Sequence, residues 1–309
     1  MNALPPDQSR PRDDDENQET QRLIFLHIPK TAGTTLKQAL IDQYGKEGVF
    51  RIDGYRIPDS IQRFRELPND RSRSLRVFYG HMPYGLHGVV PGPSTYISLL
   101  REPVDRLVSH YYYVIRTPES ALHGETVSRG LSLKDYVERG PSAHLFNNGQ
   151  TRLLGGCLDN DLAPATEDTL EAAKRNLTNF AMVGLTERFD ESLLILKRMF
   201  GWQWPVYTRE KVGPNRPRSE DISSDAAQAI REHNQLDVEL YRFAAERFEQ
   251  QIEQQGPGLR RELRTFRTLN SVNRTGTVFR GRSRSASRRQ TTGRTSSRWW
   301  NRLPSWWNS

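Results

Sequence analysis

With 309 residues, the chain can bury a substantial core as one large domain or two modest ones. Its formal charge of +8 is carried by the end of the chain: from Leu259 onward thirteen arginines stand against Glu262 alone, about +12, which leaves residues 1–258 at about −4. A mildly acidic body argues against nucleic acid as its main partner, because phosphate neutralisation needs a clustered basic face, and the single cysteine, Cys157, rules out an internal disulfide and any cysteine-rich metal site.

Residues 1–21, acidic through Asp13, Asp14, Asp15 and Glu16, read as a disordered leader without the apolar core of a signal peptide. No run approaches about 18 apolar residues. A soluble, cytoplasmic protein is expected. Leu23 to Leu26 is apolar, the run stops at Pro29, and helical spacing begins at Leu36, Leu40 and Tyr44, which together predict strand, tight turn, helix. A short strand at Val49 to Ile52 and a helix from Asp59, as N-cap, to Leu67 follow. Leu75 to Tyr79 is a second strong strand and Thr95 to Leu100 a third. The latter runs into Arg101-Glu102-Pro103, with Pro103 suited to a first helical position. Val104, Leu107, Val108 and Tyr111 give that helix a stripe expected to face the sheet.

Beyond it, helices are expected at Leu133 to Arg139, capped by Ser132, at Thr166 to Leu177, and at Phe189 to Phe200, stopped by Gly201. Ala181 to Leu185 separates the last two as a buried strand. Tyr207 to Ser219 has too many prolines and cations for a regular element. One long helix is expected from Ser223 to Gln254. Alternating strands and helices imply an α/β, P-loop-like three-layer fold, a central parallel sheet flanked by helices with ligands beyond the strand C-termini. The domain is expected over 22–255, and 256–309 reads as a disordered tail of arginine, serine and tryptophan. Such a tail suits a peripheral contact at the inner membrane surface or another anionic surface.

The turn Lys30-Thr31-Ala32-Gly33-Thr34-Thr35 leaves backbone N–H groups at a helix N-terminus, where the dipole also favours an anion. Lys30 and the hydroxyls of Thr31, Thr34 and Thr35 add donors. The turn lacks the GxxxxGK[ST] of a nucleotide-triphosphate loop. His81 ends the second strong strand. Arg101 ends the third, and Ser109 lies two turns into the helix after it, a spacing suited to gripping a second phosphate. Two plainer readings stand beside these: Arg101 as an ion-pair partner of Asp105, and His81 as a structural histidine.

At these residues the chain resembles the PAPS-dependent sulfotransferases, in the carbohydrate branch that includes heparan sulfate and uronyl 2-O-sulfotransferases. IPKTAGTT at Ile28 to Thr35 looks like their 5′-phosphosulfate loop, YISLLREPVDRLVSHYYY at Tyr96 to Tyr113 like their 3′-phosphate segment, and Tyr79-Gly80-His81 like the segment carrying a catalytic histidine. NNGQTRLLGG at Asn147 to Gly156 and VGLTERFDESL at Val183 to Leu193 are similar to bacterial members. The resemblance implies 3′-phosphoadenosine 5′-phosphosulfate (PAPS) as donor, no metal, and a hydroxyl of a glycan or glycolipid as acceptor. It implies His81 as base and Lys30 as the charge on the leaving group. Backbone N–H groups of Ala32 to Thr35 would hold the 5′-phosphate, and Arg101 and Ser109 the 3′-phosphate. Asn215 and Arg216 lie in a loop that either covers the nucleotide or is plain surface. Two other functions remain open at this point: a P-loop kinase of a small molecule, and a nucleotide-binding adaptor acting through its tail.

Overall fold

The computed structural model describes residues 21–281 apart from 55, 142, 157–163 and 208–220. The expected leader before residue 21, the loop holding Asn215 and Arg216, and the arginine- and tryptophan-rich stretch after 281 lie outside the described residues. In chain order the elements are β1 (Arg22–Leu26), α1 (Gly33–Tyr44), β2 (Val49–Ile52), α2 (Ile57–Arg65), α3 (Asn69–Ser74), β3 (Val77–Gly80), β4 (Ser94–Leu100) and α4 (Pro103–Arg116). There follow α5 (His123–Ser128), α6 (Leu133–Arg139), α7 (Ala143–Phe146), α8 (Gly149–Gly155), α9 (Glu167–Thr178), β5 (Met182–Leu185) and α10 (Phe189–Phe200). The chain closes with α11 (Ser224–His233), α12 (Gln235–Gln254) and α13 (Gly258–Gly281).

The five strands are all parallel, in the order β2-β3-β1-β4-β5. Ile24, Phe25 and Leu26 are each fully buried although successive side chains point to opposite faces, so both faces of the sheet are covered. From β1 the chain crosses to the far edge at β2, returns to β3, then passes to β4 on the other side of β1. This reversal makes the C-terminal end of β1, between β3 and β4, the switch point where open α/β sheets leave a crevice.

Several expectations change. Asp59 is not an N-cap: α2 begins earlier, behind Arg56, and the Asp59 carboxylate accepts from the Arg56 guanidinium at 2.6 Å inside the first turn. The stripe of α4 does not pack on the sheet. Val104, Leu107 and Val108 form a second cluster with Val137 of α6 and Ile230 of α11, so α4 stands in an outer helical layer. The expected helix over 223–254 is two helices broken at Asn234, whose fully buried side chain donates to the Ile230 carbonyl at 2.8 Å and accepts from the Asn148 N–H at 2.9 Å. An amide that binds the preceding turn's carbonyl competes with the helical ladder.

The largest correction concerns the chain after Gly256, expected to be disordered. It is helical through α13 as far as Gly281. Leu259, Phe266 and Asn270 recur near every seventh and fourth position and are buried at 2%, 0% and 4% exposure. Phe266 lies against Trp204 and Tyr207, and full burial of such a ring is worth roughly 1.5–3 kcal/mol. Arg198 near the end of α10 pairs with Glu262, whereas Asp190 at its start accepts from Arg267. α13 therefore runs antiparallel to α10, toward the crevice side of the sheet.

Candidate active site

The residues following β1, β3 and β4 meet at the switch point. The turn after β1 carries two non-glycine residues in the left-handed region, Lys30 (φ 72°) and Ala32 (φ 62°). Each costs on the order of 1–2 kcal/mol, and strain of this kind marks functional turns. Left-handed residues within a turn aim successive N–H groups into one concavity. Ala32 is the N-cap of α1 and no side chain caps that helix, so its first N–H groups face the crevice. The Thr31 hydroxyl, expected to serve a ligand, is turned the other way: fully buried, it donates to the Ile28 carbonyl at 2.9 Å and braces the turn. Thr34 is half-buried and Thr35 buried at the start of α1.

Gly33 is required by close approach. A Cβ there would overlap the His27 ring. That ring is stacked on Phe25 at 5.2 Å and lies 4.3 Å from the His81 ring. Burial, then the neighbouring His81, Lys37 and Lys30, hold the His27 pKa well below 6.5, so His27 is a neutral packing group. Gly33→Ala is expected to push the His27 ring toward His81 and slow any reaction in the crevice about tenfold, because small displacements of reacting groups are costly. Comparing turnover with the thermal midpoint checks this, and unchanged turnover contradicts it.

His81 is exposed at the mouth of the crevice. Its Nδ1 lies 2.7 Å from the His27 carbonyl oxygen. A carbonyl only accepts, so Nδ1 carries the proton and Nε2 keeps its lone pair. Although the outer edge reaches solvent, the protein mass behind the ring lowers its pKa. Arg51 and Lys30 act in the same direction, and the His27 carbonyl and Asp53 oppose them. Gly54 closes this side, packed against the His81 backbone. His81 is thus a neutral imidazole at pH 7 with its free nitrogen set by a backbone contact.

Arg101 is brought to the same turn. Its guanidinium donates to the Lys30 carbonyl at 3.2 Å and stands 3.8 Å from the Asp105 carboxylate. The ion-pair reading of Arg101 therefore holds, and the same guanidinium is also tied to the turn after β1. Asp105, Ser109 and Tyr113 are four residues apart and share one stripe of α4. The Lys30 ammonium lies 4.1 Å from the centre of the Tyr113 ring. Ser109, half-buried, sits on this stripe between Asp105 and the tyrosine under Lys30. Tyr111 packs, donating to the Leu131 carbonyl at 2.9 Å, whereas Tyr113 supports Lys30. Of the other histidines, His110 is buried against Tyr136 and pushed down to about 3 by that burial, and His123 bonds the Val114 carbonyl.

A separate cleft of about 330 Å³, lined by Phe64, Leu67, Val89 and Pro91 among others, lies where Arg22 bonds Ser72 and Pro91, at the opposite, N-terminal edge of the strands.

Comparison with known proteins supplies a family. The family model described as galactose-3-O-sulfotransferase matches residues 2–284. Heparan-sulfate 6-O-sulfotransferase 1-B of Danio rerio is 27% identical over 289 residues, covering 79% of this chain and 70% of its own. Heparan-sulfate 6-O-sulfotransferase 3 of Mus musculus is 31% identical over 275 residues, covering 74% of this chain and 57% of its own. Among solved structures, mouse sulfotransferase SULT7A1 complexed with PAP is a slight likeness, at 13% identity and a TM-score of 0.34 over 69% of this chain and 62% of that one.

Proposed function

The chain belongs to the galactose-3-O-sulfotransferase family, and from that premise we propose that its crevice moves a sulfuryl group from PAPS to a hydroxyl of a glycan. The observation that carries this reading is the convergence, at one switch point, of an uncapped helix N-terminus with Lys30, an arginine tied to the same turn, and an exposed imidazole whose Nδ1 is held by a backbone carbonyl. The relatives named above, heparan-sulfate 6-O-sulfotransferases, support a glycan acceptor.

In this reading the acceptor oxygen attacks sulfur as its proton passes to His81 Nε2. The new oxygen–sulfur bond forms while the sulfur–oxygen bond to the 5′-phosphate breaks. 3′-Phosphoadenosine 5′-phosphate (PAP) leaves with the negative charge. Transfer of this type asks the protein mainly for positioning and for charge at the leaving oxygen. The Lys30 ammonium and the N–H groups of Ala32, Gly33 and Thr34 supply that charge, whereas the Thr35 N–H, expected to join them, is spent on the Ala32 carbonyl at 3.0 Å. Arg101 and Ser109 take the 3′-phosphate, and Tyr113 keeps the Lys30 side chain on the α4 side of the crevice.

The test is turnover of labelled PAPS on a panel of heparan-type and galactose-terminated glycans. Wild-type protein should release PAP in step with acceptor sulfation, and Lys30→Ala should slow release by about 10²–10³-fold, as expected for loss of a group that stabilises developing charge. A kinase would instead turn over magnesium-ATP and show no preference for a 3′-phosphate. Equal rates for Lys30→Ala and wild type contradict the role given to Lys30.

A further inference from the structure

We infer that Gln150 is a positioning residue for Arg101, holding that arginine's backbone so that its guanidinium meets the donor's 3′-phosphate. The inference rests on the donor reading above. β4 is hydrogen-bonded to β5 as far as Leu100, opposite Leu185. One residue on, the Gln150 side-chain amide stands where a neighbouring strand would: its Oε1 accepts from the Arg101 N–H at 3.0 Å and its Nε2 donates to the Arg101 carbonyl at 2.9 Å. Only a carboxamide side chain offers a donor and an acceptor in peptide-like geometry. Arg101 is thus gripped at its backbone by Gln150 and at its guanidinium by the Lys30 carbonyl and Asp105.

The grip is itself anchored. Gln150 is fully buried, and its N–H donates to Asp237 Oδ2 at 3.2 Å. Thr151 gives both its N–H and its hydroxyl to Asp237 Oδ1, at 2.7 and 2.8 Å. Asp237 is fully buried and paired with Arg106 of α4 at 3.2 Å. In return the Asn148 side chain accepts from the Asp237 N–H at 3.1 Å. α8 and α12 therefore cap each other's N-termini, with Asp237 on α8 and Asn148 on α12, and Gln150 leaves that junction aimed at the strand end. A one-ångström error at a positioned group costs on the order of a hundredfold, and the long Arg101 side chain amplifies any pivot of its backbone.

The experiment measures the affinities of PAP and of adenosine 5′-phosphate, which lacks the 3′-phosphate, for wild type, Gln150→Met and Gln150→Glu. Gln150→Met keeps the volume and loses both bonds. It is expected to lose about tenfold in PAP affinity and to raise the donor KM to match, as two lost hydrogen bonds imply. Binding of adenosine 5′-phosphate and the acceptor KM should move by less than about twofold. In an Arg101→Ala background the same change should add nothing, because the glutamine acts through the arginine. Gln150→Glu recovers donor and acceptor together only when protonated, so its PAP preference should rise relative to wild type as the pH falls. This also serves if Gln150→Met does not fold. Variants that retain the wild-type preference for PAP, or that lose both nucleotides equally, overturn the role of Gln150. Wild type that binds both nucleotides equally overturns the donor reading instead.

Discussion

Asp237→Ala is expected to destabilise the protein by about 3–5 kcal/mol, because breaking a buried ion pair strands its partner's charge. The Arg106 side chain is only 2% exposed and Asp237 wholly enclosed. Burial already pulls the Arg106 pKa down and Asp237 holds it up. Removing the carboxylate leaves that guanidinium with the Phe146 carbonyl at 2.5 Å, and it uncaps the N–H groups of Gln150 and Thr151 at the start of α8. Denaturant unfolding measures the effect. Pairing Asp237→Leu with Arg106→Met should cost less than the two single changes added together, since no charge is then left uncompensated. A loss below about 1 kcal/mol for Asp237→Ala would mean that the pair is no more than a surface bridge.

His81→Ala is expected to lower kcat by about 10²–10⁴-fold, the usual contribution of a positioned general base. Donor affinity and stability should change little, because the residue is exposed and its side chain's recorded hydrogen bond is to the His27 carbonyl. The pH dependence follows from the sign of its shift. A base works only unprotonated, and the His81 pKa lies below 6.5, chiefly because the protein mass behind the ring disfavours its charged form. The rate should therefore be level through neutrality and fall only on the acid side of pH 6.5. Arg51 lowers this pKa and Asp53 raises it, so Arg51→Ala should move the acid limb upward and Asp53→Asn downward. A rate that still depends on a group titrating above pH 7 after His81→Ala would assign the proton to another residue.

Much of this site is legible in residue order because its parts obey local rules. Pro29 stands in the turn after β1, and small residues open α1. Pro103 follows Arg101 and starts α4, and Ser132 caps α6 with Asp135 in a capping box. Asp105, Ser109 and Tyr113 share a face because a helix returns to the same side every four residues. The failures are of another kind. Thr31 looks like any other hydroxyl in the turn until its acceptor, the Ile28 carbonyl, is known. Asn234 looks like a tolerable helical residue until Asn148 and Ile230 engage its amide. Gln150 lies in the segment Asn147 to Gly156, whose likeness to sulfotransferases gives it no role.

α13 is the most instructive miss. Leu259, Leu263, Phe266 and Asn270 already stand at helical spacing, yet the surrounding arginines, serines and glycines carry the composition of disorder. Their stripe orders because α10, Trp204 and Tyr207 provide a surface for it. Composition averages over a segment and cannot weigh a partner surface that is distant in sequence.

The sequence by itself determined the alternation of strands and helices, the tight turn at Lys30 and the strand-to-helix junction at Arg101. Each is settled within a few residues by backbone sterics, periodicity and the effect of proline. Only the tertiary structure decided that β1 lies between β3 and β4, so that Lys30, His81 and Arg101 share one crevice. It also decided that the His27 carbonyl chooses the nitrogen of His81, and that Gln150 clamps Arg101. Those relations span tens of residues along the chain, 71 in the bond from Arg101 to the Lys30 carbonyl. They exist because buried donors and acceptors must find partners wherever the packed fold brings them.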